Sequence, residues 1–343
     1  MSYHPDVILL GHGIAGAVLA ETLLARGLRV HVYDRKLPGN ASMAAAGVVN
    51  PLVLKRETPS WRAQELLPMA EACYRKMEQR LGAHLWHPME LVRLFPDEAT
   101  AQRWDLAMRD PITSSFIDRR EQPAVEAAPL RPCHGYGTAH RAAWLDVPAM
   151  LELQRRDLLK RGAFTESEIS DADIEVHGTG IRVAGMDAQW LVRCTGAFKA
   201  MPGMVPVKGE GLTVRLSGLR MDRMLHRGVF LLPQGGEVYR AGATFQWDDV
   251  WSGPTDAARE GLLRKIDTMT PAPAQVLDHW SGVRPTSRDR RPIMGRTSAH
   301  EAVLNGLGSR GVLLAPWCAD HLAGHLLDGA PLDPEVDVVR FTA

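Results

Sequence analysis

Two glycine-rich turns and one arginine carry the residue types and spacings in this chain that could do chemistry. The first turn, Gly11-His-Gly-Ile-Ala-Gly16, has glycine at its first, third and sixth places. Gly11 permits a tight turn, Gly13 lets the backbone approach a pyrophosphate, and Gly16 lets a following helix press on the preceding strand. Ile14 and Ala15 then sit where a helix start offers unpaired N–H groups and a partial positive charge to an anion. Asp34 lies 23 residues after Gly11, where a carboxylate accepts hydrogen bonds from ribose hydroxyls and disfavours a 2′-phosphate. The pattern predicts a dinucleotide other than NADP. His12 occupies a free position of the motif and reads as structural or solvent-facing.

The second turn, Asn305-Gly-Leu-Gly-Ser-Arg-Gly311, feeds a helix beginning near Val312 and makes a second anion site by the same reasoning. A reduced flavin is negative at N1 and its C2 carbonyl, so this helix start would stabilise charge that develops on reduction. Upstream, Ser281 to Gly295 carries Arg284, Arg288, Arg290 and Arg291. Arg284 stands at a strand end, suited to a bidentate clamp on a substrate carboxylate; the other three read as a solvated loop with local ion pairs. Between the two turns, Asn40 to Pro51 is a run of small residues that could lie closely along an extended ligand, with Ser42 placed to bond a phosphate.

The elements that must position these residues follow from periodicity. Val7-Ile-Leu-Leu10 is a short apolar run suited to a strand buried on both faces of a parallel sheet. Gly13 to Arg26 places Ala17, Ala20, Leu23 and Leu24 on one helical face, and Gly27 closes it. Arg29 to Asp34 completes a βαβ unit. Ser60 is expected to cap a helix reaching Leu81, with Pro68 kinking it or delaying its start. Strand pieces over Leu85 to Phe95, a helix from Asp97 and a helix from Asp146 to Arg161 follow. Short strands from Ala163 to Cys194 and a strand-rich Lys208 to Gln246 come next. The tail reads as a strand (Val276 to Val283), a basic loop, a strand (Ala302 to Leu304) and a long apolar helix from Val312 to Leu327. This α/β chain is twice interrupted by β-rich inserts. It implies a Rossmann-like nucleotide domain (1–82, 140–205 and 276–343) interleaved with an α+β substrate domain (83–139 and 206–275) on a mixed or antiparallel sheet.

Composition narrows the class further. The 343 residues carry 40 Lys+Arg against 40 Asp+Glu, which removes the bulk electrostatic case for nucleic acid or an anionic membrane. A hydrophobic content of 45% with 23% charged residues fits an ordered globule. The most apolar stretch, Val7 to Ala20, is too short and too rich in glycine to span a bilayer. Four scattered cysteines without metal spacing suggest buried free thiols in a reducing cytoplasm.

GHGIAG with Asp34, the Ala44-Ala45-Ala46-Gly47 run, Val192-Arg-Cys-Thr-Gly-Ala197, the Gly282-Val-Arg-Pro285 to Gly295 loop and Gly306-Leu-Gly-Ser-Arg-Gly311 together resemble the D-amino-acid oxidase superfamily, which includes glycine and sarcosine oxidases. The resemblance spans nearly the whole chain. Its Gly308-Ser-Arg-Gly311 phrase with Ala315-Pro316 is most similar to the oxidase half of the bifunctional enzyme that trims carboxymethylaminomethyl groups on tRNA wobble uridine. The resemblance implies FAD held by Gly11 to Gly16, Asp34, Arg35, Ser42, Met43, Ala44, Ala45, Gly47 and Gly282. It implies Ile169 at the adenine, Thr195 and Gly196 at the ribityl or pyrophosphate, and Gly306 to Gly311 at the pyrimidine side of the flavin. Arg284, Ser309 and Arg310 are the implied catalytic group. Cys318 falls inside the last helix, so FAD is expected to be non-covalent. Tyr136, Tyr239 and Phe245 are candidates for the aromatic substrate contacts.

The implied chemistry is oxidation of the C–N bond of an amino acid or secondary amine, with hydride passing to flavin N5 and the imine then hydrolysed. Positioning would do most of the work, which fits a sequence without a paired-carboxylate or His-Asp constellation. Two alternatives stand beside it: oxidative trimming of tRNA, and a flavin-binding redox protein without turnover.

Overall fold

The computed structural model describes residues 4–119 and 129–342; the extreme termini and part of the expected substrate region, 120–128, lie outside the described residues. The first βαβ unit forms as its pattern predicts: strand Val7–Leu10, helix Ile14–Ala25, strand Val30–Asp34. Gly27, at φ +81°, ends the helix in the left-handed conformation. These strands are central in a six-stranded sheet ordered Phe164–Glu166, Val30–Asp34, Val7–Leu10, Trp190–Arg193, Glu301–Asn305, Ile293–Arg296. Five strands run parallel, and the last pairs antiparallel with Glu301–Asn305.

Alternation along the strands assigns each side chain to a layer. Val7 and Leu9 point into the core shared with the helices Ile14–Ala25, Ala63–Leu81 and Gly311–Leu327. Ile8 and Leu10 point the other way, into a small core with Ile181 and Val183 of an antiparallel meander, 174–188. Both faces are covered, which is why this strand reads as an unbroken apolar run.

The second sheet has eight strands, ordered Ala274–Ser287, Met204–Leu216, Val238–Gly242, Phe230–Pro233, Met224–His226, Leu91–Leu94, Tyr136–Ala139, Ile117–Arg119. It is mixed: Met224–His226 runs parallel to Leu91–Leu94 and the other pairs are antiparallel. Val92, Leu94, Leu225, Leu231 and Ala241 form one face, packed with Leu262 and Ile266 of the helix Asp256–Asp267. By the same alternation Arg93, His226, Phe230 and Arg240 project from the opposite face.

Three details depart from the sequence reading. Ser60 does not cap the helix Ala63–Leu81; the N-cap position falls on Arg62, in the left-handed region at φ 51° and without a side-chain capping bond, and the Ser60 hydroxyl instead donates to the Asn50 carbonyl at 3.1 Å. Pro68 stays within the helix after this later start. The end of the basic loop is a strand, Ile293–Arg296, because Ile293 and Met294 are apolar enough to be buried at the sheet edge. The strand-rich tail also extends further than its apolar run, over Ala274–Ser287, since it pairs along the edge of the eight-stranded sheet rather than running through a continuous core.

Gly47 sits at φ +73°, and a Cβ there would lie 1.8 Å from the Leu145 carbonyl oxygen. Gly27 has a similar φ and open space around it. Gly47→Ala is therefore expected to cost about 3 kcal/mol or more in urea unfolding, against about 1 kcal/mol for Gly27→Ala. Equal losses would show that backbone conformation alone, and not the close approach to Leu145, requires the glycine.

Candidate functional site

A cavity of about 990 Å³ runs between the two sheets, at the upper end of the range of small-molecule and cofactor sites. One end is built by the glycine turn. A Cβ on Gly11 would meet the Cys194 oxygen at 2.4 Å, and one on Gly16 would meet the Gly11 oxygen at 2.0 Å. Gly16 thus does not line the cavity; it lets the helix close on the strand end, the role its spacing implies. Gly13 is free of a side chain where Ser42 approaches, and Ser42 Oγ accepts the Ile14 N–H at 2.9 Å. The helix Ile14–Ala25 has no side-chain cap from its own N-cap residue and no acid in its first turn, so its N-terminus stays electropositive.

Asp34 ends the second strand at the cavity wall. Its Oδ1 accepts the His12 N–H at 2.8 Å, tying the acid to the glycine turn. Burial raises its pKa, opposed by that hydrogen bond. The His12 ring is buried, with Nε2 2.9 Å from Gln154 Oε1: a structural residue, not a solvent-facing one. Arg35, Ala15, Ala44, Ala45, Gly47, Ile169, Thr195 and Gly196 also line the cavity. Met43 does not; it sits on the exposed side of the four-residue helix Ala41–Ala44.

The tail supplies the other wall. Leu307, Gly308, Ser309, Arg310 and Gly311 all line the cavity. Gly306 does not; it packs under Ile293, whose Cγ1 a Cβ there would approach to 2.6 Å. A Cβ on Gly311 would come within 2.9 Å of Ile14 Cγ2, so the starts of the two glycine-fed helices touch. The helix Gly311–Leu327 likewise has no side-chain cap and no acid in its first turn. Gly282 lets the long strand lie against Ala41 and Ala44, 2.8 Å from the Ala44 Cβ for an added methyl.

The predicted arginines separate in role. Arg310 is committed to the fold: Nη1 donates to the Asn50 carbonyl at 3.2 Å and to the Ser60 hydroxyl, and Nη2 donates to the Leu52 carbonyl at 3.1 Å. Arg284 has only the Thr244 carbonyl, at 3.1 Å, and the Phe245 ring, 4.5 Å from its Cζ. Among the described residues neither forms an ion pair, and burial lowers each to about 10; both remain cations at neutral pH. Arg291 pairs with Glu335 at 3.1 Å, while Arg288 and Arg290 are exposed. Of the aromatic candidates only Phe245 lines the cavity, joined by Phe230 and Trp280. Tyr136 and Tyr239 are buried in the far core of the eight-stranded sheet. Cys318 is fully buried, its thiol pushed up by desolvation.

Other residues of the site carry no sequence motif. Arg240 donates from Nη1 to the Ala45 carbonyl at 2.8 Å and from Nη2 to that of Ala44 at 3.0 Å, fixing the small-residue run. Lys208 and Glu210, both fully buried, pair at 3.0 Å. Lys208 Nζ also donates to the Ser252 hydroxyl and the Gly253 carbonyl at 2.8 and 2.9 Å, and Glu210 accepts the Thr255 N–H at 2.7 Å. The pair thereby staples the segment 244–255, which carries Phe245 at the cavity wall and the half-exposed Trp247 and Trp251 beyond it. Arg93 and His226 line the wall beside Phe230. Only their sheet alternation could have marked these positions in advance.

Burial lowers His12 to about 4 and His226, beside Arg93, to about 3. A histidine held neutral in the fold lets the unfolded chain bind the extra proton, so stability is full above the unfolded pKa near 6.5 and falls as pH drops toward 4. Urea titrations should show this decline, and His12→Asn should flatten it by up to about 3 kcal/mol over that window. An unchanged slope in the variant would mean that His12 is protonated in the folded protein.

No helix of the described residues is long and apolar enough to cross a membrane. Among solved structures, glycine oxidase from Geobacillus kaustophilus superposes with a TM-score of 0.80 at 21% identity, covering 99% of this chain and 98% of that one. Iminodiacetate oxidase from Chelativorans sp. gives 0.78 at 22% identity, with 98% of each covered. At these identities the likeness is one of fold. By sequence, the bifunctional protein of tRNA 5-methylaminomethyl-2-thiouridine biosynthesis from Maricaulis maris is 29% identical over 332 residues, 95% of this chain but 52% of that protein. The chain thus spans about half of that relative. Glycine oxidase from Pseudomonas aeruginosa is 27% identical over 368 residues, covering 96% of this chain and 98% of the relative. The model of the FAD dependent oxidoreductase family matches residues 6–324, and with the glycine turn, its acid and the second helix start arranged around one cavity, the chain belongs to that family.

Proposed function

We propose that this protein oxidises the C–N bond of a small amino acid or secondary amine that carries a carboxylate, using non-covalent FAD. The observation that carries the reading is Arg284: a half-buried cation in the cavity, with one backbone carbonyl, one aromatic face and no acidic partner among the described residues. A buried charge left without a counter-ion is costly unless a ligand supplies one.

The cavity fits FAD. Gly11 lets the turn lie against Cys194 and Gly13 leaves room beside Ser42, so the start of the helix Ile14–Ala25 would hold the pyrophosphate together with Ser42. Asp34 and Arg35 would hold the ribose, Ile169 the adenine, and Thr195 and Gly196 the linking portion. Gly308 to Gly311 would lie at the ring system, where a helix start favours negative charge. Bound there, FAD supplies a two-electron acceptor for the amine's α-hydrogen. The division into a nucleotide region (1–82, 140–205, 276–343) and a substrate region (83–139, 206–275) belongs to the same proposal, with Ala274–Ser287 serving both.

The chain's own residues then have limited tasks. Arg284 binds and orients the substrate carboxylate. Phe245, Phe230 and Trp280 exclude water from the amine. Arg310 positions the helix start by holding the 50–60 segment, and Ser309 stands beside it. The carboxylates that line the cavity, Asp34, Glu168 and Asp171, belong to the nucleotide end or to residues flanking Ile169, so the amine must arrive neutral rather than lose its proton to a dedicated base.

Two other readings rest on specific observations. The similarity to the tRNA-modifying protein supports action on a carboxymethylaminomethyl substituent of a nucleoside, for which retardation of tRNA at low salt is the test. A flavoprotein without turnover would keep its yellow colour with every amine. The deciding experiment is an anaerobic absorption titration of the FAD-loaded protein with glycine, sarcosine, D-proline and D-alanine. At least one should bleach the flavin band, and Arg284→Ala should raise the half-bleaching concentration by about ten- to a hundredfold while retaining flavin. Equal titration curves for the two proteins would remove Arg284 from the role.

A further inference from the structure

The cavity has a second cationic wall that the proposed reaction does not use. Arg93 on the strand Leu91–Leu94 and His226 on Met224–His226 are cross-strand neighbours, and both face the cavity. Arg93 Nη1 lies 3.0 Å from His226 Nδ1. Since the arginine must donate, Nδ1 accepts, and the neutral ring carries its hydrogen on Nε2. No bond to Nε2 is found among the described residues, which leaves it as a donor on the cavity side.

The charge of Arg93 is not cancelled locally. The nearest carboxylate, Glu57, is 3.8 Å away, beyond a hydrogen bond, and it also serves Arg103 at 3.4 Å. Two guanidinium groups sharing one carboxylate leave a net positive charge at this wall. The acceptors Arg93 has within the protein are His226 Nδ1 and this shared carboxylate, and a buried arginine so incompletely paired is expensive. The surrounding apolar residues, Leu91 and Phe230, offer none.

Arg93 and Arg284 also lie well apart. Their strands are separated by five steps in a twisted sheet, and both side chains line the cavity. Both can serve one ligand only if it is elongated. We infer that Arg93 and His226 form a binding site for a second carboxylate of the substrate, carried on the nitrogen substituent or the side chain of an amino acid whose first carboxylate is held by Arg284. This rests on the role of Arg284 proposed above. It narrows the substrate class from simple amino acids to dicarboxylic amines.

The test uses the FAD-loaded protein and acids that cannot react, so it does not depend on turnover. Dissociation constants are read from the shift of the flavin absorption band for dicarboxylates from succinate to pimelate, each against the monocarboxylate of equal chain length. The best dicarboxylate should bind at least about tenfold more tightly than its monocarboxylate partner. Arg93→Gln should bring that ratio close to one, and so should His226→Phe, which leaves the Arg93–Glu57 pair in place should the first variant fail to fold. A ratio near one in the unaltered protein, or one that survives both substitutions, overturns the proposal. Failure of the amine-oxidation reading shows up separately, as a dicarboxylate preference in a protein whose flavin no amine bleaches.

Discussion

The cavity depends on one close approach: the small-residue run after the second strand lies directly on the inner face of the eight-stranded sheet. Gly282 removes the side chain that would keep the long strand from Ala41 and Ala44, and Arg240 grips the carbonyls of Ala44 and Ala45 from the sheet side. The carbonyls of an irregular loop must find donors when buried, and a guanidinium presents several in a rigid fork. Because this contact is made, the nucleotide end of the first sheet and the cationic face of the second bound a single space. Bulk at Gly282 would separate them.

A second constraint lies in the way the two glycine-fed helices meet. Gly311 abuts Ile14, so two helix starts from opposite ends of the sequence meet at the same cavity, neither capped by its own N-cap side chain and the first with its Ile14 N–H taken by Ser42 Oγ. Each contributes partial positive charge without an ionisable group. Arg284, Arg310 and Arg93 add full charges, and the lining acids are confined to the nucleotide end. The net neutrality of the chain therefore conceals a strongly polarised interior.

Much of this was legible in the sequence because it rests on backbone geometry. Gly11 and Gly16 are required by contacts closer than any side chain tolerates, and such requirements leave glycines at fixed spacing. The strand Val7–Leu10 showed itself by being covered on both faces. The substrate wall left no such trace. Arg93, His226 and Arg240 are single polar residues in short strands, and only pairing partners far along the chain decide which face they occupy. Tyr136 and Tyr239 illustrate the same limit: as aromatics they were reasonable candidates, but strand parity turns them to the far core. Ser60 misled for a related reason, its hydroxyl being taken by the Asn50 carbonyl and approached by Arg310, a residue 250 positions away.

The buried Lys208–Glu210 pair has a consequence for how molecules enter. It anchors the 244–255 segment through Ser252, Gly253 and Thr255, and the Glu210 N–H reaches the Thr244 hydroxyl at 2.9 Å. A segment moored at its far end by desolvated charges and at its near end by the Glu210 backbone cannot swing as a unit without exposing those charges. What is left free to move at the cavity wall is the Phe245 ring about its own bonds, a motion of nanoseconds rather than the microseconds to milliseconds of a hinged gate. The doorway works like a turnstile in a fixed frame.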